Sequence, residues 1–166
     1  MFLGITIDDK LNWKEHVNYI SKKKSKSNGI INRLKTLLPK SALLTLYNTL
    51  VLPHLNYSLL LWGHTYKTNL DNLYILQKRV IRNICNANYI SNTALLFNEL
   101  KILTIFDLYN YQLGIFLYKF NEAFNNFYSN YSRYHTFNTR SQHSLSHPYS
   151  RTVHNHSQII STGVYF

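Results

Sequence analysis

Hydrophobic residues in this chain recur mostly at three- and four-residue steps. Trp13, Val17, Ile20, Ile31, Leu34 and Leu38 form one such stripe, and Asn12 with Glu15 three residues later supplies a capping arrangement, so a long helix is predicted from there toward Pro39. Lys24 and Ser27 fall on that stripe where core residues belong, and Gly29 adds a flexible point. The helix is therefore expected to lift off its neighbours or bend near these positions. Ser41 can cap a second helix carrying Leu43, Leu44, Leu46, Tyr47, Leu50 and Val51, which Pro53 kinks or ends by removing an amide donor. Leu55 to Trp62 reads as its buried continuation. Thr68 with Asp71 opens a further helix whose apolar face is Leu73, Leu76, Val80, Ile81 and Ile84. Thr104 with Asp107 opens another, with Leu108, Tyr109, Gln112, Phe116, Leu117 and Phe120, and Thr93 to Leu100 makes a short helix between them.

The two ends differ from this pattern. Phe2-Leu3-Gly4-Ile5-Thr6-Ile7 alternates bulky and small residues and stops at Asp8-Asp9-Lys10, which predicts a short strand and a turn. A lone strand needs a ladder partner, so residues 1–10 are expected to pair with a second strand not evident in this sequence or with one upstream in a longer chain, the first hint of a fragment. From Asn125 onward the text turns to Asn, Ser, Tyr and His with little periodicity, a poorly ordered, polar tail over 125–166. The fold class is therefore mainly α: a helical bundle over 11–124 with a short N-terminal β-strand or hairpin remnant and that tail. No repeat of fixed period is present.

At 166 residues with 45% hydrophobic content, the chain suits one domain with a substantial core, which argues against wholesale disorder. The single Cys85 excludes an intramolecular disulfide framework and a thiolate zinc cluster and points to a reducing, intracellular compartment. The longest apolar run, Leu50 to Trp62, is broken by Pro53, His54, Asn56 and Ser58 and predicts no membrane anchor. Met1-Phe2-Leu3-Gly4 begins in core-like sequence without signal- or transit-peptide character, so the first residue is expected to be a cut.

Charge changes the picture most. Lys and Arg number 18 against seven Asp and Glu, a formal net charge of +11. Lys22, Lys23, Lys24 and Lys26 lie on one predicted helix with Arg33 and Lys35 beyond, without local acidic partners. Lys78, Arg79 and Arg82 form the polar face of another. A solvated helix face is the plain alternative, but so large a field on a small chain favours a polyanionic partner, and Lys22, Lys23, Lys26, Lys78, Arg79 and Arg82 are the candidate nucleic-acid contacts. Most tyrosines, such as Tyr47, Tyr74 and Tyr109, sit at packing positions; Tyr128, Tyr131 and Tyr134 lie clear of any stripe and could stack on bases.

No catalytic or metal site is predicted. Asp8-Asp9 after an apolar segment superficially matches the paired aspartates of polymerases, but two-metal chemistry needs carboxylates converging from at least two strands. Turn formation explains the pair more simply. His143 and His147 have metal-pair spacing, yet Pro148 adjoins them and no second ligand cluster is near, so polar filler is the preferred assignment for them and for His135, His154 and His156. Cys85 reads as a small packing residue, because no oriented His and acid accompany it.

In order and spacing the segments resemble the C-terminal part of reverse transcriptases from non-LTR, LINE-type, jockey-like retrotransposons. The resemblance is carried by Phe2 to Asp8 with Leu11-Asn12-Trp13 and His16, by Lys22 to Leu38, and by Leu46-Tyr47-Asn48-Thr49-Leu50-Val51-Leu52-Pro53-His54-Leu55-Asn56-Tyr57 ending at Trp62-Gly63. Leu76 to Arg82 and, in the tail, Tyr134-His135 with Asn138-Thr139-Arg140 continue it to about residue 140. The resemblance implies that Phe2, Leu3 and Gly4 belong to a primer-grip hairpin beside the palm. It implies that 11–124 is a thumb and connecting region holding template–primer duplex, RNA or RNA–DNA hybrid, by its backbone without sequence preference. The fingers, the palm with its paired aspartates and the endonuclease of such enzymes have no counterpart here, so no catalytic residue carries over and no cofactor is expected; magnesium belongs to the full-length parent, whose palm and fingers are the implied protein partner. Lys24 stands where that family usually has an aliphatic residue, which would loosen packing unless the ammonium snorkels outward. Lys22-Lys23-Lys24 is a weak import signal, and a nuclear site suits such an element. A decayed gene product and a domesticated helical interaction module are the alternatives the sequence leaves open.

Overall fold

The computed structural model describes residues 3–9 and 11–120. The chain divides into two compact units, Met1–Tyr109 and Asn110–Phe166. The helices in chain order are α1 (Lys14–Leu34), α2 (Lys40–Leu50), α3 (Leu52–Asn56), α4 (Leu59–Trp62), α5 (Lys67–Ile84), α6 (Thr93–Leu100) and α7 (Ile105–Lys119), so the described part is mainly helical. The tail over 125–166, with its His residues and with Tyr128, Tyr131 and Tyr134, lies outside the described residues, as do Phe2 and Lys10.

α1 and α5 form the principal helix pair, with α2 resting on both and α6 on α5. The predicted stripes are the buried ones: Val17, Ile20 and Ile31 on α1, Leu43 and Tyr47 on α2, and Leu73, Val80, Ile81 and Ile84 on α5. Leu55, Leu59 and Trp62 from α3 and α4 complete the core, so the expected buried continuation is buried at these three positions, but it is split and leaves Tyr57 and Leu61 exposed. The split falls at Ser58, whose φ of 52° reverses the chain, and the Trp62 indole N–H donates to the Tyr57 carbonyl across the break at 2.9 Å. Gly63 sits where only a hydrogen fits. A Cβ there would stand 2.5 Å from Tyr109 Cδ2 and 2.6 Å from the Leu59 carbonyl.

The expected strand over Phe2–Ile7 is not formed among the described residues. Leu3 and Gly4 occupy a turn with φ of 45° and 81°, and only Ile5 makes an isolated bridge. The local reason is that Ile5 alone is drawn into the core while the Thr6 N–H donates to His16 Nδ1 at 3.3 Å, not to a neighbouring strand.

Helix starts moved by a residue or two where side chains found other work. The Asn12 side chain does accept, from the Lys14 N–H at 3.0 Å, but the residue flanking α1 is Trp13 in the left-handed region. α5 begins at Lys67, before the predicted Thr68 cap. Thr104 and Asp107 behave as predicted: the Asp107 N–H donates to Thr104 Oγ1 at 3.2 Å, and the hydroxyl donates back to the carboxylate at 2.6 Å. Gln77, buried on α5 among the apolar residues, is the polar hub of the bundle. Its amide donates to Tyr47 Oη and to the Leu103 carbonyl, each at 2.9 Å, and its oxygen accepts from the Ile105 N–H at 3.0 Å. Burial pushes the Tyr47 phenol up to about 12, with the Gln77 hydrogen bond opposing.

Candidate nucleic-acid interface

α1 does not lift away at Lys24, and it runs unbroken for 21 residues. The stripe continues because the lysine turns inward. Only 2% of Lys24 is exposed, and its Nζ donates to the carbonyls of Leu50, at 3.2 Å, and of Val51. Ser27 Oγ donates to the same Leu50 carbonyl at 3.4 Å. These carbonyls lie where α2 gives way to α3 next to Pro53, and carbonyls at a helix end lack intrahelical donors. The two residues that looked wrong for a core thus cap the α2 terminus. Burial pulls the Lys24 amine down to about 7, with the neighbouring Lys23 charge adding to the effect. The outward snorkel anticipated for Lys24 does not occur, because a cluster of acceptors waits inside.

Removing Lys24 from the surface leaves a cleaner cation row. Lys22 and Lys26, one turn apart, are exposed, and Arg33 follows on the same face seven residues after Lys26. Among the described residues none of the three has an acidic partner; the ion pair found there joins Lys40 to Glu99. Lys23 is exposed too but leans to one side, its Nζ 4.7 Å from the Tyr19 ring centroid.

The α5 cations are engaged by their own chain. Lys78 Nζ lies 4.0 Å from the Tyr74 ring centroid. The Arg82 guanidinium donates to the Ser91 carbonyl at 3.3 Å and stands 5.5 Å from the Tyr89 ring. Arg79 is exposed. Both helices supplied candidates from the sequence, and the structure leaves α1 the freer face.

Lys23 and the Leu3–Gly4 turn, singled out for separate reasons, meet at one cavity of about 260 Å³. α1 supplies His16, Tyr19, Ile20 and Lys23 to its wall; His54 of α3 and Tyr57 just beyond face them. Tyr57 Oη donates to the Leu3 carbonyl at 2.5 Å, fastening the turn to the rim. Gly4, with φ of 81°, takes the left-handed conformation this turn requires without a Cβ penalty. The His16 ring stacks on Tyr19, centroids 6.5 Å apart, and stands edge-on to Trp62 at 5.7 Å. Burial lowers the pKa of His16; burial, then the charges of Lys24 and Lys23, lower that of His54. His16, Tyr19, His54 and Tyr57 were not among the sequence candidates, although three of them stand in the segments that carry the family resemblance. Helical periodicity cannot show that residues so far apart share a cavity.

The Asp8 carboxylate accepts from the backbone N–H groups of Asn12 and Trp13 at 3.4 and 3.3 Å, which is the turn role foreseen for it. Among the described residues no three His, Cys, Asp or Glu side chains converge as a metal site would need, and no helix is long and apolar enough to cross a membrane. Cys85 is half-buried, and burial pushes its thiol pKa up against the pull of Lys40.

No family model and no solved structure matches the chain. Among curated proteins it is similar to the probable RNA-directed DNA polymerase from transposon X-element of Drosophila melanogaster, at 26% identity over 113 residues, 66% of this chain. It is also similar to the RNA-directed DNA polymerase from mobile element jockey of the same organism, at 28% identity over 105 residues, 61% of this chain. The chain spans 12% and 11% of the length of those two proteins. These matches support the resemblance to non-LTR retrotransposon RNA-directed DNA polymerases.

Proposed function

We propose that this chain is a thumb-like helical part of a non-LTR retrotransposon RNA-directed DNA polymerase. In this role it grips RNA or RNA–DNA hybrid duplex by the phosphate backbone and does not polymerise by itself. Lys22, Lys23 and Lys26 make the principal contacts, with Arg79 and, after release from their own chain's partners, Lys78 and Arg82 as secondary ones. The turn at Leu3–Gly4 lies toward the primer end. Magnesium and the catalytic carboxylates belong to the palm of the longer parent, which is the natural protein partner.

The observation that carries the proposal is the exposed row of Lys22, Lys26 and Arg33 on α1, none of them ion-paired among the described residues, on a helix kept in register by the inward turn of Lys24. A regular row of cations on a rigid helix fits a regular row of phosphates and reads no base. If about three phosphates are neutralised, log affinity falls against log salt with a slope near −3. Titration of a labelled blunt RNA–DNA hybrid at several salt concentrations tests this. The double substitution Lys22→Glu with Lys26→Glu is expected to weaken binding at least tenfold and flatten the slope by about two. Affinity that is absent at low salt, or indifferent to these charges, overturns the proposal, and primer extension by the purified chain with magnesium overturns its claim of no autonomous catalysis.

A further inference from the structure

Apart from Lys23, the side chains lining the cavity between α1 and α3 are ones the duplex grip does not use. Two tyrosine rings, Tyr19 and Tyr57, and the aliphatic Ile20 give it apolar walls, while Lys23 and His54 stand among them and no carboxylate lines it. Aromatic faces beside cations, without an anion, are the chemistry that receives a base together with its phosphate. The volume of about 260 Å³ sits just below the small-molecule range, which admits a single base with part of its sugar and excludes a duplex.

His16 supplies an independent sign that something polar is missing. It is 2% exposed, its Nδ1 accepts from the Thr6 N–H, and its Nε2 has no hydrogen-bond partner. With Nδ1 committed as acceptor, the neutral ring carries its proton on Nε2, a buried donor without an acceptor. Such a group costs about 1–3 kcal/mol, and His16 is one of the residues lining the cavity. The Tyr57 phenol that holds the Leu3–Gly4 turn in place also forms a wall of the cavity.

We propose that this cavity is a binding site for one unpaired nucleotide of a single-stranded end, its base lying against Tyr19 or Tyr57 and its phosphate held by Lys23 and His54. The site rests on the duplex-gripping role above and adds to it a preference: duplexes with a one-nucleotide overhang bind better than blunt ones.

The test compares a labelled RNA–DNA hybrid, blunt or with one unpaired nucleotide, on the full chain. The overhang is expected to tighten binding about fivefold or more, the lower end of what one stacked base contributes. His54→Ala, at an exposed position, and Tyr19→Leu should each reduce that gain at least threefold, and His54→Ala should leave blunt binding unchanged. Adenosine 5′-monophosphate alone, titrated into labelled protein, should shift the imidazole NMR signals of His16 and His54. Equal affinity for the two hybrids overturns the nucleotide site while the duplex grip stands, provided both respond to Lys22 and Lys26. Mononucleotide shifts at His16 with no hybrid binding uphold the cavity and overturn the grip. The absence of both effects removes both.

Discussion

Replacing Lys24 by Met separates packing from charge at the α2 terminus. Met keeps most of the side-chain volume but gives up the donors to Leu50 and Val51. In the folded chain burial brings the amine from 10.5 down to about 7, whereas the unfolded chain keeps the ordinary value. At 1.36 kcal/mol per pH unit this gap sets a ceiling of about 5 kcal/mol, and the carbonyl acceptors, which favour the ammonium, cut the visible part to roughly half. The sign follows from proton counting. Between about pH 7 and 10.5 the unfolded chain holds a proton the folded chain has released, so stability rises with pH across that window. The penalty is fully present below about 7 and fades as pH climbs. A neutral amine still has two N–H donors for its two carbonyls, so native contacts survive deprotonation. Urea unfolding of the wild type and of Lys24→Met, followed by circular dichroism from pH 6.5 to 9.5, gives the difference in stability at each pH and cancels other titrating groups. The wild type is expected to gain about 2 kcal/mol on the variant over this range. At the alkaline end it should be the more stable by roughly 1–2 kcal/mol, the worth of two hydrogen bonds. A difference constant within about 0.5 kcal/mol would show an ammonium in contact with water and refute the buried-amine account.

Gly63→Ala forces a Cβ against Tyr109 and the Leu59 carbonyl. It should cost about 2 kcal/mol and lower Tm by at least about 5 °C in a thermal melt; an unchanged Tm contradicts the close packing described. Gln77→Leu leaves the Leu103 carbonyl and the Ile105 N–H without their partner, and a loss of about 3 kcal/mol is expected from denaturant titration. In a double-mutant cycle Tyr47→Phe should cost less in the Gln77→Leu background than in the wild type, and strict additivity would mean that the two side chains act independently.

The helices were legible because their stripes repeat locally. Val17 and Ile20, or Val80 with Ile81 and Ile84, announce a buried face whatever they meet, and Thr104 with Asp107 marks a start through bonds three residues long. The charge excess was legible for the same reason, since it needs no partner to be counted. The N-terminal segment misled: alternation of size suggests a strand, but a strand forms only if a ladder is there to receive it, and here left-handed turns at Leu3 and Gly4 and the pull of His16 on Thr6 decide otherwise.

What the sequence by itself determined is thus the helical framework and the sign of its field. Tertiary structure alone decided the use made of individual polar residues. Lys24 and Lys23 adjoin in sequence and share a charge, yet one closes a helix terminus from inside and the other rims a cavity, because Leu50 and Val51 present carbonyls to the first and Tyr19 a ring to the second. Gln77 is a core residue only because Tyr47, Leu103 and Ile105 arrive from elsewhere in the chain to satisfy it. A buried polar group is tolerated by the partners brought to it, and those partners are fixed by the packing of distant segments, which no local spacing encodes.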